Sequence, residues 1–468
     1  MQNYYLAVDI GASSGRHILG YLENGKIRLE EIYRFENGMK HEDGKLLWNV
    51  EYLFAEIVNG MKKCAENGKI PVSISIDTWA IDYVLLDGDD RVLGDTYGYR
   101  DSRTTGMDEK VYEIIPEKEL YAKTGIQKQI FNTIYQLMAV KQQTPELLEK
   151  AETFLMLPDY FQFLLTGVKV SEYTNATSTQ LVSPIEKQWD RELIKKLGYP
   201  EKIFLPLKMP GTSVGNLRSE IQKEVGFDCE VVLCASHDTA SAVMAVPDTE
   251  GDGIYISSGT WSLMGVESET AHCDEKSQSD NFTSEGGYDY RFRYLKNIMG
   301  LWMIQSVRHE LGDAYSFAQL CEMAEQNRSF PSRVDVNDNC FLAPENMTAA
   351  IQEYCERKGQ PKPETPGEIV TVIYRSLADC YGETVRELEA NTGKVYDSIR
   401  IIGGGANAEY LNRLTSDAAK KTVYAGPTEA TAIGNLLAQM IRGGELKDLA
   451  EARKCVFDSF EIKRYAAE

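Results

Sequence analysis

Residues 5–19 read YLAVDIGASSGRHIL, and their reading decides the fold. A short apolar run ends in Asp9, a glycine-serine turn follows, and Arg16 leads into a second apolar run. Next come Glu23-Asn24-Gly25-Lys26 and the alternating IRLEEIYRF. Asn-Gly between two such runs is the strongest short hairpin signal, because both central residues of that turn need positive φ. Asp9 therefore ends the first of three antiparallel strands. Val50, Leu53, Phe54, Ile57, Val58, Met61 and Ala65 then recur at helical spacing, and Val72-Ser-Ile-Ser-Ile-Asp77 returns as an apolar strand ending in a second acid. The order is β-β-β-α-β.

That order rejects a Walker-type reading of Gly11 to Arg16. Such a loop needs Gly-Lys-Ser/Thr and opens a helix, whereas here a strand follows. The unit is instead the core of the ribonuclease H-like, actin-like fold, in which a tight turn between the first two strands touches phosphate. A second copy is expected, since that fold is usually duplicated. Glu250 to Gly253 breaks the chain, and GIYISSGTWSLMGVE repeats strand, serine-glycine turn and strand. Pro366 to Glu389 carries a long helical pattern, Ser398 to Ile402 a strand, Gly403 to Gly405 a turn, and Glu409 to Lys420 a helix. The expected architecture is α/β, with two actin-like domains divided at 247/248. Residues 312–365 have weak periodicity and are expected to be an insertion or a set of loops.

The rest of the chain bounds the function. Its 468 residues exceed what one hydrophobic core usually grows to, so two domains are expected. Hydrophobic residues at 43% and charged residues at 26% are those of an ordinary globular protein. No apolar run approaches the roughly 18 residues of a membrane helix, and the start lacks the pattern of a signal peptide, so a cytoplasmic protein with no membrane partner is expected. The net charge of −21 is spread without a basic block, which argues against nucleic acid. The nine cysteines form no C-x-x-C pair, so neither a disulfide framework nor a zinc site is indicated.

Four turns at strand ends hold the candidate chemistry, because ligands of α/β folds sit there. Ala12-Ser13-Ser14-Gly15-Arg16 and Ser257-Ser258-Gly259-Thr260 offer hydroxyls and backbone N–H groups to phosphate, and Arg16 adds a guanidinium fork. Serine and glycine are also plain turn formers, but paired at equivalent places in two halves they point to a nucleotide. Gly403-Gly404-Gly405 lets a ring or phosphate approach, or serves helix-strand packing alone. In the fourth, Asp238 lies where an alanine-rich helix starts. It either caps that helix, worth typically about 1 kcal/mol, or, flanked by His237 and Thr239, accepts a proton from a sugar hydroxyl. Asp77-Thr-Trp79-Ala-Ile-Asp82, followed by Tyr99-Arg100-Asp101, combines carboxylates with an indole and suits carbohydrate, with Trp79 as a core residue the alternative.

The motifs VDIGASSGR, IDTWAIDYVLLD, YRDSRT, FNTIYQL, SHDTASAV, SSGTWSLMG, SEGG, LKNIMGLW and GGGA occur in that order. Through them nearly the whole chain resembles the FGGY carbohydrate kinases. The resemblance implies two actin-like domains closing on a central cleft, and ATP-dependent phosphorylation of a small ketose, L-rhamnulose, at its 1-hydroxyl. It implies that Asp238 is the catalytic base, with His237, Thr239, Ala80 and Asn297 at the sugar. Ala12, Ser13, Ser14, Gly15, Arg16, Thr260, Gln305 and one of Gly403, Gly404 and Gly405 match ATP contacts. Asp9 matches the acid facing Mg²⁺ and the triphosphate. Ala80 and Ala235 stand where the pattern has glycine, and Ala408 where it tends to have asparagine. Another ketose, L-fuculose or D-xylulose, is the near alternative, and an actin-like ATP-binding protein that transfers nothing is the distant one.

Overall fold

The alternation seen from Tyr4 to Glu36 makes three strands in the computed structural model, which describes residues 2–249 and 253–467. They are β1 (Tyr4–Ile10), β2 (Ser14–Glu23) and β3 (Lys26–Glu36), and Asn24 and Gly25 take φ of 52° and 74° in the turn that joins the last two. Helix α1 (Val50–Glu66) follows, with the Asn49 side chain capping the N–H of Tyr52 and Leu53, Ile57, Val58, Met61 and Cys64 buried against the sheet. Burial of each such side chain stabilises by roughly 1.5–3 kcal/mol. Strand β4 (Pro71–Thr78) then pairs parallel to β1. Strands β5 (Ser213–Asn216) and β6 (Glu230–Val232) complete the order β5-β6-β4-β1-β2-β3, and β6 leads into the short helix α2 (Asp238–Met244).

The second half repeats the pattern. Strands β7 (Ile254–Ser258) and β8 (Trp261–Ser268) are antiparallel, β9 (Ser398–Ile402) and β10 (Thr422–Ala425) continue parallel from β7, and β11 (Lys463–Tyr465) closes antiparallel. The order β8-β7-β9-β10-β11 reproduces β2-β1-β4-β6-β5 pairing for pairing. The expected α/β duplication is therefore present. The break at 250–253 lies largely outside the described residues.

One finding differs from the sequence reading. Residues 312–365 are not only loops: Phe317–Gln326 and Met347–Arg357 are helices, the first closed by a capping box between Ser316 and Gln319, the second capped by Asn346. The first buries only Leu320 and Ala324, a face too narrow to show the period. By packing, the described chain forms two compact units, each built from more than one stretch. Glu267–Tyr294 and Thr431–Ser459 belong with the residues up to Ala245, while Val246–Val266, Leu295–Ala430 and the chain from Phe460 form the second unit. The helix Ala430–Arg442 explains part of this, because Gln439 donates to the Leu6 carbonyl and accepts from Ser73, seating the helix on β1 and β4. Among the described residues no helix is long and apolar enough to cross a membrane, and all nine cysteines are free.

Candidate functional site

Register lines up the first acids. Asp9 on β1 faces Arg16 across the antiparallel pair and Asp77 across the parallel one. Arg16 Nη2 donates to Asp9 Oδ2 at 2.6 Å. Asp77 is fully buried and accepts from Asn435 Nδ2 at 2.6 Å. Burial pushes its carboxyl well above the usual carboxylate range; the negative Asp9 adds to this and the Asn435 amide opposes it. Asp77 Oδ1 is buried with no hydrogen bond from the protein.

The first turn is tied by Gly11 N–H to the Ser14 carbonyl at 2.9 Å, and by Asn37, whose side chain donates to the Gly11 carbonyl at 2.8 Å. Ala12 and Ser14 are half-buried and Ser13 is exposed. Gly15 is buried, and a Cβ there would overlap the Phe35 ring, so packing alone demands a glycine.

Asp238 stands one bridge further along. Thr78, at the end of β4, pairs with His237 as an isolated bridge, and its N–H bonds the Ser236 carbonyl at 3.0 Å. His237 is the N-cap of α2 but makes no side-chain cap bond, and Asp238 is the first helical residue. Its carboxylate accepts from Thr239 N–H at 2.5 Å and Thr239 Oγ1 at 3.1 Å. Glu172 pins the loop before it from below. This fully buried carboxylate accepts from Ser236 Oγ and Thr174 Oγ1 at 2.7 Å each, and from three backbone N–H groups of Thr174, Asn175 and Ser236. Behind His237 lie Arg293, with Nη2 3.1 Å from Nδ1, and Glu285, with Oε2 3.4 Å from Nδ1. Burial works against the Glu285 carboxylate, yet the Arg293 guanidinium holds it down at about 2.

Trp79 and Asp82 form a separate cluster. The Trp79 ring lies 4.1 Å from that of Trp48, centroid to centroid, and both indoles donate to Asp82 Oδ2, Trp48 at 2.6 Å and Trp79 at 2.9 Å. The Tyr99 N–H reaches the same oxygen at 3.1 Å, and Gln136 Nε2 donates to Oδ1 at 3.0 Å. Burial raises Asp82 to about 6 against these donors. With both oxygens bonded to protein, Asp82 fixes the two indoles and the Tyr99 backbone. Trp79 is 7% exposed, as a core residue is, and Ala80 beside it is half-buried.

In the second unit the turn after β7 is tied to the helix Trp302–Glu310. Leu301 and Trp302 N–H groups bond the Gly259 and Thr260 carbonyls, and Thr260 Oγ1 lies 3.5 Å from Gln305 Oε1. The glycines after β9 separate by role. Gly403 has φ of 82°, and a Cβ on Gly405 would overlap Ser258 Oγ, whereas nothing lies within 4 Å of a Cβ on Gly404. Asn297 is half-buried on the strand Phe292–Met299.

Glu172, Glu285, Arg293, Asn37 and Gln136 were not singled out by sequence reasoning. SEGG, which holds Glu285, was visible as a motif but not as a partner of His237. Gly286 in that motif has no room for a side chain beside Tyr173 and Thr177, which sets Glu285 in place.

The family models for the N-terminal and C-terminal domains of the FGGY carbohydrate kinases match residues 4–245 and 254–442. The chain belongs to the FGGY family of carbohydrate kinases, enzymes that use ATP. It is 54% identical over 465 residues to the rhamnulokinase of Halalkalibacterium halodurans, covering 99% of each chain. It is 50% identical to the rhamnulokinase of Oceanobacillus iheyensis, covering 100% of this chain and 99% of that one, and 45% identical to that of Bacillus subtilis, covering 98% and 94%. Among solved structures it resembles a ligand-bound xylulose kinase from Lactobacillus acidophilus, with a TM-score of 0.80 at 16% identity over 100% of this chain and 94% of that one. A Plasmodium falciparum glycerol kinase with ADP gives 0.77 at 15% identity, over 100% and 95%. At such identities the structures speak for the fold alone.

Proposed function

We propose that this chain phosphorylates L-rhamnulose at its 1-hydroxyl, giving L-rhamnulose 1-phosphate and ADP in the breakdown of rhamnose. The observation that carries the reading is identity of 41–54% over 98–100% of the chain to proteins named rhamnulokinase. Asp238 is the proton acceptor. Its carboxylate is anchored by Thr239 and bears on His237, with Nε2 3.5 Å from Oδ1, so it is held where a hydroxyl can be oriented. Phosphoryl transfer passes through a loose transition state, so positioning and charge stabilisation matter more than base strength.

Ala12 to Arg16 receive phosphate oxygens through backbone N–H groups and the Arg16 guanidinium. Thr260, Gln305 and Gly404 are nucleotide contacts of the second unit, Gly404 because its Cα face is open. Thr239, His237, Ala80 and Trp79 are the sugar contacts of the first unit, and Asn297 is a candidate sugar contact carried by the second. The residues that would hold Mg²⁺ are Asp9, whose carboxylate ends β1 beside the phosphate turn, and Asp77, its register partner on β4, whose Oδ1 is buried without a hydrogen bond from the protein. Held there, the cation would neutralise charge on the triphosphate, the usual service of Mg²⁺ bound by one or two carboxylates.

A coupled assay of ADP release with purified chain, ATP, Mg²⁺ and a panel of L-rhamnulose, L-fuculose and D-xylulose tests this. L-rhamnulose should give the highest kcat/KM, by about a hundredfold or more if a sugar hydroxyl bonded by the site is lost in the others. A higher value for another ketose would reassign the substrate, and ADP release indifferent to every ketose would remove the kinase reading.

A further inference from the structure

Arg293 is fully buried, and three acceptors surround it. Its Nε–H reaches the Gly286 carbonyl at 3.1 Å, and Nη2 lies 3.0 Å from Glu285 Oε2 and 3.1 Å from His237 Nδ1. A guanidinium offers donors only and keeps its protons. Nδ1 of His237 is therefore the acceptor in that contact, and the ring N–H is on Nε2, the nitrogen that lies 3.5 Å from Asp238 Oδ1.

We propose that Arg293 is a positioning residue for phosphoryl transfer: with Glu285 as its buried counter-charge, it fixes the tautomer of His237 so that an Nε2–H donor is turned to the Asp238 carboxylate. Glu285 and Arg293 compete for the same ring nitrogen. The guanidinium is the nearer, 3.1 Å against 3.4 Å, and its second Nη2–H occupies the carboxylate. Without the guanidinium, Glu285 would accept a hydrogen bond from Nδ1–H, and the bare Nε2 would meet Asp238 acceptor to acceptor. The carboxylate would then be pushed from the orientation that Thr239 and His237 give it. The proposal rests on the reading of Asp238 as proton acceptor.

The test uses the full chain labelled with ¹⁵N-histidine. Long-range ¹H–¹⁵N correlation reports the protonated nitrogen of each of the five histidines, and His237→Gln identifies the His237 signals. Wild type should show His237 protonated at Nε2 and bare at Nδ1; the reverse overturns the proposal whatever the kinetics. In Arg293→Met the proton should move to Nδ1 and kcat should fall by at least about tenfold with KM for ATP unchanged, as expected for loss of a group that sets a tautomer. Arg293→Lys, which again offers donors only, should keep the Nε2–H tautomer and recover most of that loss. Equal loss in both variants, tracking their melting temperatures, would mean that Arg293 serves only the fold. If Arg293→Met does not fold, the wild-type spectrum and the Lys variant still decide. Failure of Asp238 as acceptor would leave the His237 spectrum as described, so the two readings fail separately.

Discussion

Asp9 and Asp77 stand opposite each other in register on the parallel strands β1 and β4, and Arg16 ion-pairs with Asp9. Asp77, buried beside a second carboxylate, is thereby pushed well above the usual carboxylate range. The native state thus holds this proton more tightly than the unfolded chain, so the associated stability is complete below the ordinary range, about pH 4, and is lost as pH rises through the raised value. Asp77→Asn removes the charge and still offers Asn435 an amide oxygen. Its melting temperature without nucleotide should exceed that of wild type near neutral pH, and the gap should close towards pH 4. A gap that does not vary with pH would remove Asp77 as its source.

Arg16 has two tasks in this arrangement, compensating Asp9 and offering donors to phosphate. Arg16→Ala should raise KM for ATP or lower kcat at unchanged ketose KM, because the guanidinium lies at the phosphate turn. It should also cost stability on the order of 1–3 kcal/mol, since the side chains of the pair are 20% and 10% exposed and solvent screens part of the interaction. Unaltered ATP kinetics with reduced stability would confine Arg16 to holding Asp9.

The duplicated sheet was legible because its signals are local. Asn24-Gly25 fixes a hairpin, the three strands alternate, and the acids fall at strand ends where register brings them together. The helices within 312–365 were less legible because the first buries only Leu320 and Ala324. The shell of the site was not legible at all. Glu172 reaches Ser236 across 64 residues, and Arg293 reaches His237 across 56, so no spacing announces either contact. Asp82 has a structural task that the sequence did not announce. An acid near an indole reads as a sugar contact, and the contacts that Trp48, Trp79, Tyr99 and Gln136 make with its two oxygens have no local signature.

The glycines after β9 give a paired test. A Cβ on Gly405 would overlap Ser258 Oγ, so Gly405→Ala must shift β7 or the turn and should lower stability by about 1–3 kcal/mol, as overpacking does. Gly404→Ala adds its methyl to open space and should leave the melting temperature unchanged. If that face meets the nucleotide, KM for ATP should nevertheless rise severalfold. Wild-type ATP kinetics in a stable Gly404→Ala protein would return the turn to a packing role.

Asp238→Asn separates chemistry from architecture most cleanly. Asn retains a side-chain oxygen for the Thr239 N–H, now 2.5 Å from Asp238 Oδ1, and His237 remains the N-cap of α2. Only the capacity to take up a proton is lost. General-base assistance is worth typically 10² to 10⁴ in rate, or roughly 3 to 5 kcal/mol of barrier at about 1.36 kcal/mol per decade. The variant should therefore keep a melting temperature close to wild type and still bind ATP, while ketose phosphorylation falls by at least about a hundredfold. Because the wild-type carboxylate already leans on Thr239, KM for the ketose should change less than kcat, the pattern of an interaction realised mainly in the transition state. Turnover within about threefold of wild type would take Asp238 out of the mechanism and leave His237 as the next group to test.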